Sequence, residues 1–182
     1  MRSVLRVFAV FGLVTATASA AHAQSIAEPK TVTATPFVSV SFGTSHNLGS
    51  SLGIGGAIGY DWTSNLGFEF ELGRVFDVAG EDDALDYKLT TINGNVVYHF
   101  DVKRVTPYAT VGLGWERASQ DLKDTTDDPG ATTEIAWNFG GGVKYPINSR
   151  VLARGDLRRF QVNDLAPDHW RLYGGLTFWI KR

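Results

Sequence analysis

The chain has no cysteine among its 182 residues. Disulfides, thiolate metal sites and a cysteine nucleophile are therefore excluded. It has no excess of positive charge either. Its 17 Lys and Arg face 19 Asp and Glu, a formal net of −2. Nothing in that balance suits a nucleic acid partner. After Gln24 there is no run of 18 consecutive apolar residues, so no transmembrane helix is expected. Histidine is scarce. Beyond the first 23 residues only His46, His99 and His169 remain, and none has a serine two residues away. A strand-borne His–Ser arrangement for nucleophilic catalysis is not found. The glycines alternate along strand-like runs instead of opening helices, so they form no phosphate-cradling loop, and no metal-ligand spacing occurs. The expectation is a non-enzyme without metal or cofactor.

What is present begins at the N-terminus. Arg2 and Arg6 precede a short apolar stretch, Val7 to Ala16, and Ala21-His22-Ala23 offers an Ala-x-Ala cleavage site before Gln24. This is the pattern of a secretory signal peptide over 1–23, cleaved near Ala23. Losing Arg2 and Arg6 leaves 15 basic against 19 acidic residues, a net of −4. Residues 24–35 read as a polar lead containing Pro29, and 36–182 as one domain.

That domain is patterned with period two. In Leu52-Gly53-Ile54-Gly55-Gly56-Ala57-Ile58-Gly59-Tyr60-Asp61-Trp62 the even positions other than Gly56 carry bulk, while the odd ones carry Gly, Ala or Asp. Gly67-Phe68-Glu69-Phe70-Glu71-Leu72-Gly73 repeats this with carboxylates on the lean face. Strand side chains alternate sides, so each run has one greasy face and one small or charged face. Bulk outside and glycine with charge inside is the arrangement of a transmembrane β-barrel. Because only alternate residues must be apolar, a mean hydropathy of −0.08 is compatible with it.

Eight strands are expected, at about 36–43, 51–62, 67–76, 88–100, 106–116, 133–145, 151–160 and 170–180. The connections after strands 2, 4 and 6 are short. Those after strands 3 and 5, at 77–87 and 117–132, are long and acidic, with Asp77, Glu81, Asp82, Asp83, Asp86, Asp121, Asp124, Asp127 and Asp128. Short turns lie on the periplasmic side of bacterial barrels, so both termini are expected there. Aromatics gather at the strand ends. Tyr60, Trp62, Phe68, Tyr98, Phe100, Tyr145 and Phe178 fall at one level, and Phe42, Phe76, Trp115, Trp137 and Trp170 at the other. Two girdles at two membrane interfaces are expected. The alternative, a soluble lipocalin-like barrel, would gather Gly53, Gly55, Gly59, Gly112, Gly114, Gly140 and Gly142 on a solvated face, where glycine only weakens strands.

The lean face carries Glu69, Glu71, Glu116, Glu134, Lys144, Arg154, Asp156, Arg158 and Arg171. Mixed signs in a narrow lumen favour pairing and closure. Strand depth suggests two tiers, Glu69 and Glu71 with Lys144 and Arg154 below, Glu116 and Glu134 with Arg158 and Arg171 above.

Gly53–Tyr60, Pro107–Trp115, Asn138–Tyr145, Val151–Phe160 and Tyr173–Phe178 together resemble the small eight-stranded outer-membrane proteins of Gram-negative bacteria, such as the OmpA transmembrane domain and OmpX. The resemblance covers nearly the whole chain after the leader. It implies an all-β, eight-stranded antiparallel barrel in the outer membrane, monomeric, placed there by the outer-membrane assembly machinery, with lumenal ion pairs. It also implies contact with the bilayer and with lipopolysaccharide. Such proteins commonly end on an aromatic residue, whereas this chain ends Trp179-Ile180-Lys181-Arg182. No peptidoglycan-binding domain is expected after strand 8. The expected role is structural, the alternatives being a narrow small-solute pore and a surface adhesin or resistance factor acting through the outer loops.

Overall fold

The computed structural model describes residues 28–43, 50–76, 85–102, 104–122, 131–162 and 168–181. The expected signal peptide, His46 and most of the acidic loop residues lie outside them. Eight strands run in chain order: β1 Thr31–Gly43, β2 Ser51–Asp61, β3 Leu66–Val75, β4 Leu85–His99, β5 Thr106–Leu122, β6 Ala131–Pro146, β7 Val151–Val162 and β8 His169–Lys181. Each pairs antiparallel with the next, and β1 pairs with β8, so the sheet is a closed barrel with no free edge. Closure satisfies every strand's hydrogen-bonding groups, which is what a bilayer demands of a sheet.

The parity expected from the sequence is the parity observed. Leu52, Ile54, Phe68, Phe70, Leu72, Ile92, Val96, Val111, Leu113, Leu172 and Leu176 are exposed on the outer wall. Inside, among the described residues, buried polar and charged side chains outnumber apolar ones, and Phe37, Ala57, Phe160 and Tyr173 form a small buried apolar cluster. A wall of exposed aliphatic and aromatic side chains around a polar interior is unstable in water and stable in lipid.

Four strand boundaries differ most from the sequence reading. β1 starts at Thr31, not near Pro36, so the last five residues of the expected polar lead are strand. Thr31, Thr33 and Thr35 turn their small polar side chains inward, and these are buried. Pro36 is accommodated because the ladder to β8 passes from Ala34↔Phe178 to Phe37↔Gly175 without a pair at Pro36. At the other end, β4, β5 and β6 run on into both stretches read as long loops. Asp86 and Asp121 lie opposite each other in the β4–β5 register. Charge there marks a sheet that outgrows the apolar wall, since a ladder between neighbouring strands persists wherever its backbone groups pair.

The short connections have specific chemistry. After β2, the Thr63 hydroxyl accepts hydrogen bonds from the amides of Asn65 at 3.2 Å and Leu66 at 2.9 Å. After β6, the Asn148 side-chain oxygen accepts from the amides of Arg150 at 2.8 Å and Val151 at 3.0 Å. Each side chain satisfies two turn amides and so sets the register of the next hairpin arm.

The outer wall generates a prediction. Val111→Arg destabilises the barrel by about 2–4 kcal/mol, whereas Tyr145→Arg, near a strand end, costs about 0–1 kcal/mol. Reversible unfolding in lipid vesicles measures both. Equal, negligible effects would contradict the membrane placement.

Candidate functional site in the charged lumen

β7 supplies the centre of the lumen. Arg154, Asp156 and Arg158 alternate inward along it and are 8%, 3% and 0% exposed. β3 stands four strands away on the opposite wall and points Glu69 and Glu71 back at them. Arg158 crosses the bore. Its Nη1 donates to Glu71 Oε2 at 2.9 Å, its Nη2 to Glu69 Oε1 at 3.1 Å, and its Nε to Asp156 Oδ1 at 3.1 Å. Arg154 crosses beside it. Its Nη2 donates to Glu69 Oε1 at 3.0 Å and its Nη1 to Glu69 Oε2, a bidentate pair. Its Nε is shared between Asp156 Oδ2 at 2.9 Å and the Tyr108 hydroxyl oxygen at 2.8 Å. Planar guanidinium forks match carboxylates in this way, and lysine could not reproduce the geometry.

Two tyrosines complete the cluster. The Tyr108 hydroxyl donates to Asp156 Oδ2, and the Tyr173 hydroxyl donates to Glu71 Oε1 at 3.0 Å. Their rings also lie against the cations, Arg154 5.1 Å from the Tyr108 centroid and Arg158 4.8 Å from that of Tyr173. Cation–π contact adds attraction where water is scarce. A small pocket remains among Thr35, Phe37, Glu71, Arg158 and Tyr173.

A second strut lies on β8. Arg171 Nη2 donates to Glu116 Oε1 on β5 at 3.2 Å, its Nη1 to Thr91 Oγ1 on β4 at 3.2 Å, and its Nε to Ser41 Oγ on β1 at 3.2 Å. Phe160 lies against its guanidinium at 4.3 Å and stacks on His169 at 5.1 Å. At the short-turn end, Lys144 Nζ is 2.8 Å from His99 Nε2, and His99 Nδ1 is 3.9 Å from Asp61 Oδ1.

Of the expected lumen residues, Glu69, Glu71, Glu116, Lys144, Arg154, Asp156, Arg158 and Arg171 are buried, and Glu134 is half-buried opposite Glu116 in register. The tiers need two corrections. Arg158 belongs to the lower cluster, because its long side chain reaches Glu69 and Glu71 across the bore. Lys144 bonds to His99 instead of Glu69 or Glu71, and its ammonium lies 5.5 Å from the Tyr108 centroid. Of the expected girdle, Phe42, Tyr60, Trp62, Phe68, Phe76, Tyr98, Phe100, Trp115, Trp137, Tyr145 and Phe178 are exposed. Trp170 is half-buried against Arg159, at 5.5 Å.

Sequence reasoning missed the neutral members. Tyr108 and Tyr173 carry hydroxyls into the ion cluster, and inward parity on β5 and β8 would have found them. It also missed an amide group formed by Asn93, Asn95 and Asn138, all buried, with Asn138 Nδ2 donating to Asn95 Oδ1 at 3.0 Å. The glycines opposite are what admit it. A Cβ at Gly112 would lie 1.9 Å from Asn95 Oδ1 and 2.7 Å from Asn138 Nδ2.

A polar lumen crossed by buried ion pairs inside an apolar outer wall places this chain among known proteins. It belongs to the outer membrane protein beta-barrel domain family. The family model matches residues 7–178. The outer membrane of Gram-negative bacteria is therefore its location. Among solved structures the barrel is similar to the N-terminal beta-barrel domain of Pseudomonas aeruginosa OprF. They share 21% identity over 84% of this chain and 98% of that one, with a TM-score of 0.62. It is also similar to Neisserial surface protein A, with 24% identity over 81% and 95% of the two chains and a TM-score of 0.64. Ail, the attachment invasion locus protein of Yersinia pestis, is similar at 13% identity over 82% and 99%, with a TM-score of 0.57. A comparison with curated protein sequences yields no match.

Two outcomes are expected of substitutions here. Arg158→Met leaves buried Glu71 with the Tyr173 hydroxyl as its remaining donor, takes one donor each from Glu69 and Asp156, and costs about 3–5 kcal/mol, whereas Arg159→Met, whose partner Asp168 at 2.8 Å is partly solvated, costs about 0–1 kcal/mol. Urea unfolding in vesicles measures the two. Gly112→Val forces Asn95 aside and costs about 1–3 kcal/mol. The same change in an Asn95→Ala background costs less, a coupling that a double-mutant cycle reads directly.

Proposed function

We propose that this chain is a structural outer-membrane barrel whose bore is closed by side-chain struts. The observation that carries this is Arg158, fully buried and bonded to Asp156 on its own strand and to Glu69 and Glu71 on the opposite wall. An eight-stranded barrel is just wide enough for side chains to fill. Guanidinium groups tied to both walls stand across the bore and obstruct it. Removing one partner of such a pair leaves the other charge buried and unpaired, so the paired, closed arrangement is favoured.

In this reading the chain is exported with cleavage near Ala23 and is handled by the outer-membrane assembly machinery. It stands as a monomer with both termini periplasmic and the long connections outside. The girdle aromatics sit at the two interfaces, and the outer rim contacts lipopolysaccharide. No catalytic role is assigned in this reading, which takes the lumenal carboxylates as acceptors for guanidinium and hydroxyl donors.

Planar-bilayer recording of the refolded protein tests the closure. The native chain is expected to show no discrete current steps, and the Arg154→Ala/Arg158→Ala chain to show them. Steady unitary currents from the native protein would favour the narrow-pore reading instead.

A further inference from the structure

The outward faces of β3 to β6 line up in register. Leu72 is opposite Ile92, Ile92 opposite Trp115, and Trp115 opposite Ile135. All four are exposed, so this row of the wall is entirely apolar. The next outward row, toward the long connections, is different. Arg74 is opposite Thr90, Thr90 opposite Arg117, and Arg117 opposite Thr133. These four are exposed as well. Within one two-residue step, about 7 Å along a strand, the wall passes from hydrocarbon to guanidinium and hydroxyl. Lys88 follows one step further on β4.

The cations in this row differ from the one on the far wall. Arg159 is neutralised by Asp168 at 2.8 Å. Arg74 rests 5.8 Å from the Phe76 centroid, and among the described residues neither it nor Arg117 has a carboxylate partner. Their backbones are separated by two strand spacings, about 10 Å. A wall that ends its apolar belt in two guanidiniums without a carboxylate partner among the described residues, with threonine hydroxyls between and beside them, is complementary to a doubly anionic group held at headgroup depth. Guanidinium forks bind phosphate in bidentate fashion, and hydroxyls supply further donors.

We propose that Arg74, Thr90, Arg117 and Thr133 form a binding site on the outer wall for a doubly phosphorylated glycolipid headgroup. The acyl chains of that lipid lie on Leu72, Ile92, Trp115 and Ile135. The site rests on the lipopolysaccharide contact proposed above and gives it a place, the β3–β6 face and not the acidic rim.

The test is native mass spectrometry of the refolded full chain in zwitterionic detergent with added lipid A. The native protein is expected to retain lipid A, and the Arg74→Gln/Arg117→Gln chain to retain it about 30-fold less weight for weight of lipid, roughly fivefold per cation near a membrane surface. Arg159→Gln, already charge-compensated, should retain it like the native chain. Heat-modifiable migration on a gel verifies that each variant is folded. Lipid A stripped of its phosphates, and singly charged phosphatidylglycerol, should be retained weakly, and millimolar inorganic phosphate should not displace lipid A. Equal retention by the double variant would overturn the site while leaving a lipid contact elsewhere intact. No retention by the native protein would remove the contact itself. Phosphatidylglycerol or dephosphorylated lipid binding as well as lipid A, or displacement by free phosphate, would each refute the doubly phosphorylated glycolipid.

Discussion

The constraint on which the rest depends is the crossing of the bore by arginine. Arg158 and Arg154 reach from β7 to β3, four strands away in the ring, and Arg171 reaches from β8 to β4 and β5. A guanidinium that must satisfy carboxylates on the opposite wall fixes the diameter of the barrel as firmly as the hydrogen-bonded seams fix its circumference. Other lumen features follow from that. Where a long side chain passes, the wall beneath it must be bare. A Cβ at Gly142 would lie 2.3 Å from the Asp156 Cβ and 2.7 Å from the Tyr108 hydroxyl. The glycines that make the period-two pattern so visible are thus the counterpart of the arginines that fill the bore.

The division of labour between the two faces explains why so much of the fold was legible. Parity is a local property, and in Leu52–Trp62 or Gly67–Gly73 it can be read without knowing any partner strand. Which side is lipid follows from where the charge stands. Partner choice is not local. Arg158 was placed with Glu116 because both lie far along their strands, yet an arginine side chain extends past its own level, and neighbouring strands in a barrel are staggered. The Lys144 contact with His99 was hidden as well, since the two stand 45 residues apart in sequence and on β6 and β4, with β5 between them. The extension of β4 and β5 was hidden because acidic residues mark solvent, and solvent is compatible with both a loop and a hairpin that rises beyond the bilayer.

The neutral side chains were the least legible part of the lumen. A tyrosine on a barrel strand reads as a girdle aromatic, as Tyr60, Tyr98 and Tyr145 do. Tyr108 and Tyr173 have the other parity, and their hydroxyls complete carboxylates that two guanidiniums alone would leave short of donors. Asn93, Asn95 and Asn138 carry no charge to attract notice, yet they fill the level beside Gly112 and Gly114 with amides. Polar groups enclosed in this way stiffen a lumen when paired and hold water when they are not.

The order of the charges along the chain has a consequence for assembly. The carboxylates that the struts reach across the bore, Glu69, Glu71 and Glu116, lie on β3 and β5, while Arg154, Arg158 and Arg171 all lie on β7 and β8. A sheet of six strands therefore holds its inward carboxylates with no guanidinium to meet them. The last hairpin brings all three cations at once, along with the strand that pairs with β1. The strand that closes the seam with β1 thus belongs to the same hairpin that carries every guanidinium of the two struts.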